Sequence, residues 1–299
     1  LMGFKLLLTM QFPKLCKLLG IRVVERKVEM FFKNLVTSTV EIREREGLTR
    51  PDMIQLMMES RKKEMNDGTT FSLEEMTAQA FGFFFGGFDT TSSLMCLVLH
   101  LLAEYPEVGD KLREEVDRIY DECGGAISYE TINRMEYLDA VLNETLRLYP
   151  IVAVLDRVCT QNFELPPALP GKDKVTLKPG DIVNLPAYAI HRDPNYFPKP
   201  DDFYPERFIE DPKGTLHSPL YMPFGIGPRM CIGNRFALLE TKVLVFHLVA
   251  KFFMKPGEKM TLPFQLTKSN GLMEPEGGFW LSLELRHRAG AESMSNLSI

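Results

Sequence analysis

One cysteine, Cys231, stands in a glycine-rich loop directly before an apolar helical pattern that begins near Asn234. A cysteine at the start of a helix faces unpaired backbone N–H groups and the positive end of the helix dipole, and both favour the thiolate over the thiol. Because a thiolate is a strong ligand for iron, we interpret Cys231 as a metal ligand. For an isolated cysteine, a buried structural role in a strand-to-helix turn is the common alternative.

The residues around this thiol suit a flat cofactor that lies against the loop. Where a residue carries no Cβ, the backbone can turn tightly and approach a macrocycle closely, and three glycines offer this: Gly225, Gly227 and Gly233. Arg229 can reach an acidic edge of the macrocycle with paired N–H donors. Phe224 is placed to cover the sulfur and exclude water. These neighbours favour the metal ligand over the structural cysteine.

Five of these positions form the pattern F-x-x-G-x-R-x-C-x-G. The pattern resembles the haem-thiolate loop of the cytochrome P-450 monooxygenases. The resemblance implies that the Cys231 sulfur binds the iron of haem b (iron protoporphyrin IX). It also implies contacts with the cofactor at four positions: Phe224, Gly227, Arg229 and Gly233.

The element that must face this loop is a long helix predicted over residues 76–103, with a capping box, Ser72 to Glu75, at its start. Two adjacent glycines, Gly86 and Gly87, weaken its middle by about 1 kcal/mol each relative to alanine. Thr90 follows Gly86 by four residues, so its hydroxyl can bond the Gly86 carbonyl and open a groove that fits a diatomic ligand.

The stretch from Gly86 to Thr91 resembles the oxygen-binding segment of the same family. The resemblance assigns Thr90 to a hydrogen bond with the bound oxygen and Asp89 to proton relay, and it places Gly86 and Gly87 beside the cofactor. A structural acid paired with a basic residue is the alternative for Asp89. Without the other motifs, the stretch would be interpreted as a kinked core helix.

A charged cluster is expected to hold the loop in shape. Glu144 and Arg147 are three residues apart on a predicted helix that Pro150 ends, so they share one face. As an exposed pair they would contribute only about 0.3 kcal/mol. However, residues 203–208 resemble the family segment whose arginine, here Arg207, completes a buried Glu-Arg-Arg cluster. The resemblance thus gives these three residues a structural role.

A β-rich stretch lies between these motifs, with strands predicted over residues 152–158, 174–177 and 181–185. By analogy, Arg157 meets a haem propionate together with Arg229; an exposed arginine at a strand end is the alternative. His191, in the sequence His-Arg-Asp-Pro, could indicate metal or acid–base chemistry, but without a second histidine nearby a hydrogen-bonded turn is favoured. The resemblance also implies a substrate pocket, and six side chains suggest that its substrate is apolar: Phe83, Phe84, Phe88, Ile151, Val154 and Leu272.

Composition limits the class of protein. With 299 residues, 45% hydrophobic and 25% charged, the chain can bury a substantial core and is globular. A formal net charge of -5 argues against a nucleic-acid partner. The five cysteines are odd in number, widely separated and without a C-x-x-C pair, so we predict neither a disulfide framework nor a zinc site, and a reducing, cytosol-facing environment.

The chain begins with Leu1 and shows no complete targeting segment, so we expect a fragment. The apolar run at residues 6–10 is far shorter than the ~20 apolar residues of a membrane span. Its leucines, followed by Lys14 and Lys17, suit an interfacial loop that touches lipid. A core-facing segment is the alternative.

These motifs lead to one interpretation. The fold class is mainly α with a smaller β-sheet portion, the cytochrome P-450 fold with its N-terminal part missing, and residues 1–299 form the C-terminal portion of a single haem-thiolate monooxygenase domain. The resemblance is closest to the animal microsomal branch that oxidises foreign compounds and steroids. It implies insertion of one oxygen atom from O2 into a lipophilic small molecule, with electrons from an NADPH-dependent flavoprotein reductase. It also implies peripheral contact with the endoplasmic reticulum membrane at its cytosolic face.

Two other functions stay open. A non-catalytic haem-binding fragment would keep the cofactor without turnover. A haem-thiolate isomerase or dehydratase would act without a reductase, although Thr90 argues against it.

Overall fold

The computed structural model describes residues 8–9, 12–67, 71–267 and 273–286. Contacts within the chain divide it into two compact units, Leu1–Phe88 and Asp89–Ile299. The expectation that residues 1–299 belong to one domain stays a prediction.

Helices dominate the described residues. They are α1 (Pro13–Leu18), α2 (Arg26–Glu46), α3 (Met53–Asp67), α4 (Leu73–Glu104), α5 (Pro106–Cys123), α6 (Tyr129–Ile132), α7 (Glu136–Leu148), α8 (Ala187–Ile190), α9 (Arg207–Glu210), α10 (Pro212–Thr215) and α11 (Asn234–Lys251), with one turn of 3-10 helix at Gly227–Arg229. The strands are β1 (Leu155–Val158), β2 (Phe163–Leu165), β3 (Val175–Leu177), β4 (Ile182–Leu185), β5 (Phe252–Pro256) and β6 (Leu281–Leu285). A mainly α fold with a smaller β portion is therefore confirmed.

The strands form small antiparallel pairs. β1 pairs with β4, with Arg157 opposite Val183; β2 pairs with β3; and β5 pairs with β6. The predicted first strand is shorter than expected, because residues 152–154 bend before β1 begins. The helix predicted after Cys231 is α11, and the chain turns from it directly into β5.

The first unit has a small core between α2, α3 and the start of α4. Arg43 and Asp52 join α2 to the start of α3 by two hydrogen bonds of 2.8 and 2.6 Å. Asp52 Oδ1 also accepts the Gln55 N–H at 3.0 Å, which caps α3. The Arg43 guanidinium and this N–H lower the pKa of Asp52 to about 2. The core itself consists of Val36, Val40, Met57, Met58 and Met76.

Helix α4 begins at the predicted capping box, which is confirmed. The Glu75 N–H donates to Ser72 Oγ at 3.1 Å, and the Ser72 N–H donates to Glu75 Oε2 at 2.7 Å. Among the described residues, α4 is long and apolar enough to cross a membrane, a test that the core helix of a soluble protein also passes. Its C-terminal half supplies core residues of the second unit.

The second unit is built on a larger core shared by α4, α5, α7 and α11. Its fully buried side chains include Leu97, Leu112, Leu142 and Phe246. Glu115 of α5 caps the start of α7, because its two carboxylate oxygens accept the N–H groups of residues 137 and 138 at 3.0 and 2.9 Å. Helix α7 is thereby fixed against α5, and α7 carries the charged cluster described below.

Candidate functional site

The loop that presents Cys231, here called the cysteine loop (residues 222–231), is closed by its own backbone. The Gly225 N–H donates to the Met222 carbonyl at 3.0 Å, and the Cys231 N–H donates to the Phe224 carbonyl at 2.8 Å. Gly225 and Gly227 have φ angles of 76° and 71°, a left-handed conformation that favours glycine. The loop therefore depends on these two glycines for its shape.

The thiol lies directly before α11, where Gly233 is the N-cap residue. Cys231 is exposed, whereas the other cysteines of the chain are buried or half-buried. A Cβ on Gly233 would lie 3.9 Å from the Cys231 sulfur, so the sulfur sits close to this helix start. The Cys231 side chain is therefore presented at the N-terminal end of α11.

The surface around Cys231 fits a flat, largely apolar cofactor. Four large apolar side chains near it in the sequence are exposed to solvent: Ile226 at 39%, Met230 at 51%, Ile232 at 85% and Phe236 at 69%. Phe224 packs against the core of its unit and is half-buried. Its predicted role as a cover for the sulfur stays a prediction.

The two arginines expected at the propionates differ in their surroundings. Arg157 in β1 is half-buried, donates to the Asp156 carbonyl at 2.7 Å, and lies 3.4 Å from the Ile226 carbonyl of the cysteine loop. Arg229 is exposed in the 3-10 turn that precedes Cys231. Both guanidinium groups thus belong to, or lie beside, the cysteine loop, and their part in binding a propionate stays a prediction.

The structure brings Glu144, Arg147 and Arg207 together in the interior. Glu144 and Arg147 are fully buried, and Arg207 is 7% exposed. Glu144 accepts two bonds from Arg147, at 2.7 and 2.9 Å, and the Arg207 Nε lies 3.1 Å from both carboxylate oxygens. The Tyr204 N–H adds a further bond at 2.9 Å. An exposed pair on α7 is therefore the wrong description of Glu144 and Arg147.

The remaining N–H groups of both arginines bond to an irregular coil before α9. Arg147 donates to the carbonyls of Pro200 at 2.7 Å and Asp202 at 3.1 Å. Arg207 donates to the carbonyls of Pro198 at 2.8 Å and Lys199 at 3.1 Å. Buried charges are tolerated when their hydrogen bonds are satisfied in this way. The cluster thus fixes a coil that has little regular structure of its own.

In α4, the helix continues without a break through the two adjacent glycines. A Cβ added to Gly86 or Gly87 would meet nothing within 4 Å, so the helix surface there is open. Asp89 is exposed and Thr90 is half-buried. The predicted oxygen and proton roles of these four residues stay predictions.

The expected pocket residues lie in different environments. Phe83, Phe84 and Phe88 are exposed at 46%, 54% and 62%, and the rings of Phe84 and Phe88 stack with centroids 5.7 Å apart. Ile151 is buried in the core of the second unit, whereas Val154 is 47% exposed. Leu272 lies outside the described residues. Their role in binding substrate stays a prediction.

Sequence reasoning missed one side chain at the site. His191 accepts the Met222 N–H on its Nε2 at 2.9 Å, directly where the cysteine loop begins. The sequence drew attention to His191 only as part of a turn. A histidine bonded to a distant backbone group gives no local sequence signal, because the two residues are 31 positions apart.

Comparison with known proteins gives a consistent result. The family model Cytochrome P450 matches residues 3–282. "Cytochrome P450 9e2" of Blattella germanica is 43% identical over 92% of this chain and 53% of its own length. "Probable cytochrome P450 9f2" of Drosophila melanogaster is 37% identical over 96% of this chain and 56% of its own length. "Cytochrome P450 3A9" of Rattus norvegicus is 40% identical over 86% of this chain and 50% of its own length. The chain spans about half the length of these relatives.

Proposed function

Because this chain belongs to the cytochrome P450 family, we propose that the protein is a haem-thiolate monooxygenase that inserts one oxygen atom from O2 into a lipophilic substrate. Haem b, bound through a cysteine thiolate, is the cofactor of this family. The observation that carries the proposal is the exposed Cys231 thiol, held at the start of α11 on a loop closed by the bond from its own N–H to Phe224.

The residues around Cys231 would hold the cofactor. The Cys231 thiolate would bind the iron, and Phe224, Gly227 and Gly233 would lie against the flat ring. The apolar side chains exposed beside the thiol would be covered by the ring. When bound, haem would supply a redox-active iron that activates O2, and the thiolate ligand would favour O–O cleavage.

The charged residues have two tasks in this proposal. Arg157 and Arg229 neutralise the acidic edge of the cofactor, and a planar guanidinium suits a carboxylate with two N–H donors. Asp89, which is exposed on α4, takes up protons from water, and the Thr90 hydroxyl beside it passes them on. The glycines at 86 and 87 leave space over that part of α4.

The substrate is proposed to be apolar. The exposed rings of Phe83, Phe84 and Phe88 give the first unit an aromatic surface, and Val154 adds an exposed aliphatic side chain in the second. Such side chains bind a ligand mainly by removing its apolar surface from water. Ile151 and Leu272 complete the proposed set of pocket residues.

We propose the redox partner and the membrane location because the chain belongs to this family. Electrons come from an NADPH-dependent flavoprotein reductase, and the protein acts at the cytosolic face of the endoplasmic reticulum membrane. Four exposed apolar side chains on and beside α1 support peripheral contact with lipid: Phe12, Leu15, Leu18 and Leu19. Lys17 on the same helix suits the anionic headgroups.

The test is spectroscopic and then catalytic. The complete reading frame that contains this sequence is expressed, and its reduced carbon monoxide spectrum is recorded with and without Cys231→Ala. We expect the red-shifted Soret band of thiolate ligation in the parent protein and its loss in the variant. Cys159→Ala, which removes a half-buried thiol in the same unit, is the matched control and should leave the band unchanged.

Measurements of turnover then distinguish the monooxygenase from the two alternative functions. NADPH-dependent oxidation of lipophilic compounds in the presence of the reductase supports the monooxygenase. Haem binding without turnover would favour a non-catalytic protein. Turnover of peroxides without NADPH would favour the isomerase or dehydratase.

A further inference from the structure

A buried histidine joins the charged cluster to the cysteine loop. His191 follows α8 and is fully buried. Its backbone carbonyl accepts the Arg147 Nη1–H at 2.8 Å, and its side-chain Nε2 accepts the Met222 N–H at 2.9 Å. One residue is therefore bonded to the cluster through its main chain and to the loop through its imidazole.

The bond to Met222 fixes the point at which the loop begins. Met222 is 3% exposed, so its N–H has no access to water and needs a partner within the protein. Pro223 follows it and has no N–H to donate. The next residue, Phe224, accepts the Cys231 N–H at 2.8 Å. Met222 is thus an anchor two residues before the contact that positions the cysteine.

The imidazole is held in place by aromatic rings. The Phe197 ring meets it edge-on with centroids 6.0 Å apart, and the Tyr221 ring lies 5.4 Å away. Tyr221 is itself fixed, because its hydroxyl bonds to the backbone carbonyl of Asn143 at 3.0 Å. The acceptor nitrogen has little freedom to turn away from Met222.

The ring must be neutral for Nε2 to accept a bond. Burial is the main cause that lowers the pKa of His191 to about 4; the Arg147 cation acts in the same direction, and backbone groups of Arg147 and Leu146 oppose it. Near neutral pH the imidazole is therefore uncharged. With Nε2 as the acceptor, the hydrogen-bond pattern assigns the ring proton to Nδ1.

From these contacts we infer that His191 is a positioning residue for the haem-thiolate loop. By accepting the Met222 N–H, it transmits the fixed geometry of the Glu144–Arg147–Arg207 cluster to the segment that aims the Cys231 sulfur. This inference rests on the proposed function, because it concerns the thiolate that binds the cofactor.

Two variants separate hydrogen bonding from packing. His191→Gln keeps an acceptor near the position of Nε2, whereas His191→Leu fills the space without an acceptor. His100→Leu is the matched control, because His100 is also fully buried in the second unit and its ring nitrogens accept no bond from the cysteine loop among the described residues. All three are made in the complete reading frame that contains this sequence.

The first measurement needs no cofactor. Hydrogen exchange of the Met222 amide is followed in the cofactor-free protein. In His191→Leu we expect exchange to be about tenfold faster, the factor that matches loss of one ordinary hydrogen bond. His191→Gln should stay within about twofold of the parent protein. His100→Leu should leave this amide unchanged.

The second measurement reports whether the Cys231 sulfur binds the haem iron. In the reduced carbon monoxide spectrum, His191→Leu should lose most of the thiolate-type Soret band and gain the blue-shifted band of a protein without thiolate ligation. His191→Gln should retain the thiolate band. If His191→Leu matches the parent protein in both measurements, or if His100→Leu shows the same losses, the inference is wrong. If the parent protein itself shows no thiolate band, the proposed function fails instead.

Discussion

Among single residues, Cys231 differs from the other cysteines because its side chain is exposed. Its sequence neighbours explain this, since the two left-handed glycines and the bond to Phe224 turn the loop outward at the start of α11. The apolar side chains exposed beside it are unfavourable in water unless a ligand covers them. The exposed sulfur and these apolar neighbours therefore favour a bound cofactor over a buried structural cysteine.

Replacement of Thr90 by alanine tests the proton path. We expect Thr90→Ala to keep the thiolate-type spectrum, because it leaves the cysteine loop intact, and to release more hydrogen peroxide per NADPH consumed, because proton delivery fails. Ser92→Ala is the control on the same helix, since the Ser92 hydroxyl bonds back to the Asp89 carbonyl at 3.2 Å. Peroxide and product are measured against NADPH. Unchanged coupling in Thr90→Ala would remove Thr90 from the proton path.

Replacement of Glu144 by glutamine tests the buried cluster. The change leaves two buried guanidinium groups without their counter-charge, so we expect the free energy of unfolding to fall by about 3–5 kcal/mol. Lys174→Gln is the control, because it breaks an exposed pair with Glu164 of similar length, 2.6 Å, and should cost at most about 1 kcal/mol. Urea denaturation of both variants gives the comparison. If both variants lose the same free energy of unfolding, burial of the cluster does not increase its contribution to stability.

Among the elements, α4 contains both residues that stabilise a helix and residues that weaken it. Its apolar residues and capping box favour a stable helix, whereas three glycines within six positions weaken it: Gly82, Gly86 and Gly87. A side chain at any of these positions would meet no neighbour within 4 Å. Packing in the described structure therefore does not require the glycines, and this favours a functional reason for them.

Gly86→Ala separates the effect of this glycine on helix stability from its role in function. We expect it to raise the free energy of unfolding by about 1 kcal/mol, because alanine is the better helix former and the added methyl group meets nothing. In the protein loaded with haem, the same methyl group should weaken carbon monoxide or substrate binding. Gly82→Ala, one turn earlier, should stabilise the helix equally without that loss. If both variants bind ligands like the parent protein, Gly86 does not lie beside the cofactor.

The elements also show how far sequence reasoning reaches. Motifs with fixed spacing, such as Glu144 and Arg147 on α7, identified residues that the structure brings together with Arg207. Long, largely apolar runs likewise predicted α4 and α11, the first of them behind a capping box. The carbonyls at residues 198–202 and the bond from Met222 to His191 could not be predicted, since an irregular coil has no periodic pattern and its partners are remote in sequence.

For the molecule as a whole, two buried histidines link stability to pH. His100 and His191 are fully buried, and burial lowers the pKa of each to about 4 from an ordinary value of 6.5. Above pH 6.5 both are neutral in the folded and unfolded chains. Between pH 6.5 and 4 the unfolded chain binds protons that the folded chain does not, so the free energy of unfolding falls as the pH falls.

His100→Leu should remove part of this acid sensitivity. Each histidine can contribute up to about 3 kcal/mol between these pH values. Glu104 lies 3.8 Å from His100, and burial raises the pKa of this carboxyl, so the folded chain takes up its proton before the unfolded chain does. Glu104 therefore acts in the direction opposite to His100, because its protonation favours the folded chain as the pH falls. Urea denaturation at neutral pH and near pH 4 should show a smaller difference for His100→Leu than for the parent protein. Glu104→Gln at both pH values separates the two groups, and an unchanged pH dependence in His100→Leu would contradict this prediction.

The bonds from Arg147 and Arg207 to the coil at residues 198–202 have a kinetic consequence. A surface coil normally opens and closes on its own, many times faster than the whole protein unfolds. Here the carbonyls of the coil accept hydrogen bonds from two arginines, and these arginines cannot leave Glu144 without leaving an unpaired charge in the interior. Its opening should therefore be as rare as the unfolding of the unit around it. A coil without regular structure should then keep its native conformation for as long as the core helices do.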